Sequence, residues 1–417
     1  MAQAMSVRAP SFKRVFESGW TGAAVWLVPL LVISVPVALR PLARTVTPIY
    51  HGASAHWWAG ADLYRGGPTD FNYLPVFALL FAPFHALPVP VGDLLWRALA
   101  TGLLATGIWR VVRAECGAAA PKAYLWASLL AMPACTGAMR NGQGSALFAG
   151  LVLHALVCTS RRQWWWAAAL AALSVAARPL GLVLVLLAPA IYAPLRWRLA
   201  VCLGALAVLP FAFAPAAYVI GQHYAFADNI HACADYDTRY LADITGILRP
   251  FYSGDIPARV HSLMSLLAGA ATLGLCWCLA RRLREPFRAL WVLVLATGYL
   301  MLFNPMNEVN SYVIFGPALG LWAVFALRAE STRRSGWVLV AIAVSLEVLP
   351  RIFWPWLGKH FAPFWHPLMT VVVLGVLTRA LWRDRAAFVA LPVTAPAQAP
   401  EPNAPGSVRP AAVTPPR

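Results

Sequence analysis

Acidic residues are scarce in this 417-residue chain, with 16 Asp and Glu against 33 Lys and Arg, and charged residues of either sign make up only 12%. So little charge beside 60% hydrophobic residues cannot coat a soluble domain. The seven Cys are scattered, mostly inside apolar runs, which excludes a disulfide framework, and no Cys or His spacing suits a structural metal. No GxxxxGK[ST] phosphate loop occurs, and the strongly basic connections are too short to hold a nucleotide-binding domain, so direct use of ATP is not expected. No internal repeat is evident, which argues against transporter folds built from two related halves. No small-residue cleavage motif follows the first apolar run, so that run is expected to be retained as a span.

What the chain has instead is about twelve apolar runs, at 21–39, 94–112, 122–138, 144–159, 164–178, 179–195, 199–217, 259–280, 288–303, 311–327, 337–350 and 365–382. Most are long enough for a helix to cross a hydrocarbon core of roughly 30 Å. The stretch 73–90 is apolar too, but Pro75, Pro83, Pro88 and Pro90 interrupt it, and it is read as an interfacial helix lying along the membrane surface. The expected fold is all-α, a polytopic membrane domain of about 12 transmembrane helices over 21–382. A cytoplasmic segment, 1–20, precedes it. The Pro/Ala-rich tail 383–417 is too poor in large apolar residues to bury a core and is expected to be disordered in the cytoplasm.

The connections are sorted by charge. With the amino terminus inside, segments 1–20, 110–122, 160–163, 194–199, 281–288, 328–336 and 379–417 hold 22 of the 33 Lys and Arg but only six of the 16 acids. That is the positive-inside bias, and counting 73–90 as a span would reverse it for everything downstream. Basic clusters beside helix ends are explained by topology and anionic lipid rather than nucleic acid. Trp57, Trp58, Trp164 to Trp166, Trp354, Trp356 and Trp365 suit aromatic belts at the two interfaces. Two long loops, about 40–93 and 218–258, fall outside, and eight of nine His lie in or beside outer segments. Chemistry is therefore expected at the periplasmic face of a bacterial inner membrane, with both termini cytoplasmic.

The first outer loop carries Tyr50, a short helix, Gly60-Ala-Asp-Leu-Tyr64, Phe71-Asn-Tyr-Leu-Pro75 and an apolar run ending at Pro88. Further on come Arg140-Asn-Gly-Gln143, Arg178-Pro179 with an apolar run ending Leu195-Arg-Trp-Arg198, and Phe303-Asn-Pro-Met-Asn-Glu-Val-Asn-Ser-Tyr312. In order and spacing this pattern, over most of residues 20–382, resembles family 87 glycosyltransferases. These are polytopic GT-C enzymes that include mycobacterial polyprenyl-phosphate-mannose-dependent α-mannosyltransferases. The resemblance implies inverting transfer of a hexose, mannose among the candidates, from a polyprenyl-phosphate donor to a glycan or glycolipid acceptor. It implies no metal and no other cofactor. An outer-face acid takes the acceptor proton, and cationic groups hold the departing phosphate. Many family members carry an Asp about four residues before the Tyr matching Tyr50, whereas Thr45-Val-Thr-Pro-Ile-Tyr50 has no acid.

Asp62 is the first choice for the base, set against a cap or surface carboxylate, with Asp70 behind it. Glu308, flanked by Asn304, Asn307 and Asn310, is the second choice, and its competing role is a helix cap. Arg178 and Arg140 are candidates for the donor phosphate, against snorkelling and loop structure. Tyr50, Tyr64, Tyr73, Gln143, Asn304, Asn307, Asn310 and Tyr312 are candidates for sugar or acceptor contacts. In the second long loop His223, Asp228, His231, Asp235, Asp237 and Asp243 are too loosely spaced for a metal site and read as a solvated loop, with acceptor binding as the other reading. His154, in mid-run, reads as an interhelical hydrogen bonder. Two rivals stay open, a lipid-linked sugar flippase and an inactive polyprenyl-lipid-binding envelope protein. The first would need paired charges deep in the spans.

Overall fold

A computed structural model describes residues 19–383, apart from 42, 44, 68–69, 235–240, 253–255 and 305–306, together with Phe388. The expected cytoplasmic segment 1–20 and tail 383–417 lie almost wholly outside the described residues. Among the described residues there are helices and no strands. In chain order the helices are α1 Gly19–Leu39, α2 Thr47–Trp58, α3 Pro75–His85, α4 Val89–Cys116, α5 Ala120–Asn141, α6 Gly144–Ser160, α7 Trp164–Ala177 and α8 Leu182–Ile191. They continue as α9 Leu195–Val208, α10 Ala216–Ala234, α11 Ile244–Leu248, α12 Ala258–Ala280, α13 Phe287–Phe303, α14 Gly316–Arg328, α15 Arg333–Leu357 and α16 Phe361–Arg383.

Each of the twelve apolar runs overlaps one of these helices, the run 199–217 extending past α9 through the 3₁₀ turn Leu209–Ala212 to the start of α10. Among the described residues five stretches are long and apolar enough to cross a membrane: Gly19–Leu39, Val89–Asn141, Leu195–Ala212, Arg259–Ala280 and Glu330–Arg383. The second holds α4 and α5, folded back on each other through Gly117, and the fifth holds α15 and α16, which turn at Gly358. Both glycines have positive φ, 51° and 54°, where a side chain would be strained. The remaining runs form apolar helices of 10–17 residues. Prolines start helices where the missing N–H costs nothing: Pro48 in α2, Pro75 in α3, Pro90 in α4 and Pro317 in α14.

The centre is formed by α6, α13 and α14, whose residues are buried on nearly every side. Helices that are apolar all round belong in such a place. Around them α4 packs on α6, α5 on α1 and α14, and α7 on α6 and α9. The α4–α6 crossing is close because small residues line it. A Cβ on Gly107 would meet Leu153 at 2.8 Å, and one on Gly150 would meet Leu103 at 2.8 Å. The periphery is apolar but unburied, with Leu31, Val32 and Val35 on α1, Val208 on α9, and Leu266 and Leu267 on α12 exposed. An exterior of this kind suits hydrocarbon rather than water.

Segments assigned by charge to the inner side meet at one end of the bundle. Arg284 donates to Glu115 at 2.5 Å, Tyr192 to Glu285 at 2.8 Å, and Arg328 to the Cys116 sulfur at 2.5 Å. The run read as 94–112 begins at Val89, five residues early. The reason is Asp93 and Arg97, which interrupt the apolar pattern yet are buried as a pair.

Candidate active site

The other end of the bundle collects the outer segments around the first turn of α6. Gly142 ends α5 in the left-handed region, φ 67° and ψ 30°. A Cβ there would lie 2.8 Å from Thr47 and 3.0 Å from the Arg97 guanidinium, so the turn into α6 requires glycine. Three consecutive residues then reach in three directions. The Gln143 side-chain amide donates to Glu308 at 3.4 Å. The Gly144 N–H donates to the Tyr50 hydroxyl at 3.0 Å, and that hydroxyl is 2.7 Å from the Tyr73 hydroxyl. The Ser145 hydroxyl accepts from the Arg178 guanidinium.

These contacts join Glu308, Gln143, Tyr50, Tyr73 and Arg178, which are spread over more than 250 residues of sequence. Burial holds the Tyr50 hydroxyl well above its usual pKa, reinforced by Tyr73 and opposed by the Gly144 N–H and Arg178. It therefore remains protonated. Tyr50 is wedged edge-on against Phe77, Phe81 and Trp96, with ring centroids 4.9 to 5.9 Å apart. The Gln143 Oε1 is buried and has no partner among the described residues, which leaves one acceptor open beside Glu308 and α6.

The two long loops close over this region together. Tyr218 of α10 donates to the Ala61 carbonyl at 2.7 Å, Leu63 N–H donates to Gln222 at 2.9 Å, and the Asn229 amide donates to Asn72 at 2.6 Å and to the Phe71 carbonyl at 3.2 Å. Tyr64 donates to the Tyr73 carbonyl at 2.7 Å and packs on Phe71 and Phe226. Burial, with Asp62 next, raises the Tyr64 hydroxyl.

The candidates separate accordingly. Asp62 is exposed, and its carboxylate accepts the Tyr64 N–H at 3.0 Å, closing a local turn. Asp70 is half-buried against Gly66. Glu308 is exposed and opens the 3₁₀ turn Val309–Ile314, but its side chain makes no cap bond. Arg140 points outward, and its carbonyl accepts from Arg97 at 3.2 Å. Asn304 is buried at the end of α13. Asn307 is fully buried and donates to the carbonyls of Ala242 and Met301, while Tyr312, equally buried, donates to Ala242. Asn310 is half-buried against Gly137.

In the second loop, His223 bonds the Val219 carbonyl, Asp228 and His231 are exposed, and Asp243 caps α11. Asp235 and Asp237 lie outside the described residues. His154 joins α6 to α4 through Arg110 at 2.6 Å and Thr106 at 3.1 Å.

One constellation escaped the sequence reading. Asp93 is buried between the Thr47 hydroxyl at 2.7 Å, the His51 Nε2 at 3.1 Å and Arg97 at 3.6 Å, and Arg97 also donates to Thr45 at 2.7 Å. The acid-free stretch Thr45–Tyr50 thus has a carboxylate against it, supplied from α4. A buried charge survives only when paired. An Asp and an Arg four residues apart in an apolar run were the available signal.

A family model, described as glycosyltransferase family 87, matches residues 71–305. That stretch takes in Tyr73, Arg140, Gln143, Arg178 and Asn304, and leaves Tyr50, Asp62 and Glu308 outside. No curated protein matches the chain.

Proposed function

The chain belongs to glycosyltransferase family 87, since the match spans more than half of it, and from that premise we propose a donor, a face and a set of roles. The donor is a polyprenyl-phosphate hexose and the acceptor a glycan or glycolipid hydroxyl. The reaction takes place at the periplasmic end of a GT-C-type bundle, with α3 lying along the membrane surface.

The observation that carries this reading is the convergence of Glu308, Gln143 and Arg178 on the first turn of α6. The leaving phosphate gathers negative charge as the sugar departs. A helix amino terminus carries about half a positive charge, and Arg178 beside Ser145 adds a full one. Glu308 takes the proton of the acceptor hydroxyl, whose oxygen attacks the anomeric carbon. The bond from that carbon to the phosphate oxygen breaks with its electron pair, so configuration inverts and the polyprenyl phosphate leaves as the anion. Gln143 holds the Glu308 carboxylate through its amide and offers its open Oε1 to a sugar hydroxyl. Tyr73, bonded to Tyr50 and packed against Gly144, stands beside this space, and Asn304 is assigned a sugar contact from the end of α13. Asn307 and Tyr312, which donate to backbone carbonyls, hold the loop that presents Glu308, and the buried Asn307 Oδ1 has no partner among the described residues. Asp62, bonded to its own turn, is the alternative base.

The test uses membranes supplied with labelled polyprenyl-phosphate hexoses and candidate acceptors. Glu308→Gln is expected to lower kcat by roughly 10²- to 10⁴-fold, the usual worth of a general base, while Asp62→Asn stays close to wild type. The opposite pattern moves the base to Asp62. No transfer from any such donor ends the reading.

A further inference from the structure

Far from the proposed site, α5, α14 and α15 enclose a groove of about 670 Å³, within the roughly 300–1,000 Å³ of ligand pockets. Its floor is apolar and buried, formed by Ala123, Leu130 and Val324. Its rims are apolar and open, with Trp126 51% and Trp337 60% exposed. Among the described residues that line it only two are charged, Lys122 and Arg328, both positive. Among the described residues neither makes an ion pair. Arg328 is steadied by its bond to the Cys116 sulfur, which fixes where its charge sits.

An apolar bed with two cations and no carboxylate is complementary to one kind of molecule, a hydrocarbon chain ending in an anion. We propose that this groove binds an anionic phospholipid, its phosphate on Lys122 and Arg328 and an acyl chain along Trp126 and Trp337. The glycosyl donor is also an anionic lipid, but the geometry separates the two. Lys122 stands near the start of α5 and Arg140 near its end. Eighteen residues of helix at 1.5 Å each put the groove's cations about 27 Å from the turn that leads into the proposed site. The charge sorting also assigns Lys122 and Arg328 to the inner leaflet. The inference does not depend on the glycosyl-transfer reading.

Native mass spectrometry of the full-length protein in detergent, titrated with phosphatidylglycerol or phosphatidylcholine, tests it. Wild type is expected to retain phosphatidylglycerol at least tenfold more tightly than phosphatidylcholine. K122Q/R328Q should weaken phosphatidylglycerol by roughly ten- to thirtyfold, from two cations near a lipid phosphate. Val344→Trp fills the groove and leaves both cations, and should also weaken retention. R196Q/R198Q, a basic pair outside the groove, should leave it unchanged. Should the double variant fail to fold, K122Q alone is expected to give about a fivefold loss. Equal binding of the two lipids, no loss in the groove variants, an equal loss in R196Q/R198Q, or displacement of phosphatidylglycerol by a polyprenyl phosphate would each overturn the proposal.

Discussion

The two ends of the bundle are built from different materials. At the inner-assigned end arginines stand on short turns and bond acids, a thiol and backbone carbonyls, as in Arg284–Glu115 and Arg328–Cys116, with Tyr192 donating to Glu285 beside them. At the outer-assigned end the two long loops bond each other through hydroxyl, amide and backbone groups, and the Gln143 amide meets the Glu308 carboxylate, all across more than a hundred residues. The helices between are similar in composition, so the difference lies in what each end asks of its polar groups. Arginines on short turns resist being pulled across a membrane. Groups that bind a sugar and hold a leaving phosphate must instead be fixed in three dimensions.

The contrast can be broken outright by labelling. In a Cys278→Ser background, cysteines at the exposed positions Ala59 and Tyr224 should react with an impermeant maleimide in spheroplasts, whereas one at exposed Ala193 should react only after lysis. Any exchange of these outcomes puts the two long loops in the wrong compartment. A second measurement sharpens the chemistry of the outer end. Arg178→Gln removes a cation beside α6 but keeps a donor for Ser145, and kcat should fall by about 10²-fold or more. An unchanged kcat with a raised KM would reduce Arg178 to ground-state binding.

The smallest expected effect concerns pH. The His85 imidazole lies below its usual value because it is partly buried and because His51, itself on Asp93, faces it at 3.3 Å. A depressed folded-state pKa means that the opened state binds the proton more readily. The docking of α3 on α2 should thus be fully stable above the ordinary value of 6.5 and weaken as pH falls below it. The hydrogen-exchange protection factors of residues 47–58 and 75–85, corrected for the intrinsic pH dependence of exchange, should fall between about pH 7 and pH 5.5, and His85→Gln should flatten that change. An unaltered profile in His85→Gln would assign the change to another group.

Much of the fold was legible because apolar length and proline placement are local properties. Every run met a helix, and errors arose where local polarity misled. Asp93 hid the start of α4, while the run read as 337–350 belongs to a longer helix, α15, that continues past Pro350 and Pro355. The site was less legible because its geometry comes from distant partners. Gln143 and Glu308 were visible as polar residues in outer turns, but nothing local indicated that they would touch. Ser145 and His51 gave no signal at all, since their roles come from Arg178 and Asp93. Asn307 and Tyr312 looked like sugar contacts because amides and phenols bind sugars. In the structure their donors satisfy buried carbonyls, a use that no local feature of the sequence announces.

The bonds from α10 to residues 61, 63 and 72 have a bearing on biosynthesis. Their partners are separated by 157 to 159 residues. At about 5–20 residues per second, the ribosome takes on the order of ten to thirty seconds to bring the later partner out. During that interval the backbone amide of Leu63 and the carbonyl of Ala61 must be served by water. The outer-assigned end is thus completed late, and a nascent chain halted before residue 230 would carry every helix up to α9 without a finished roof.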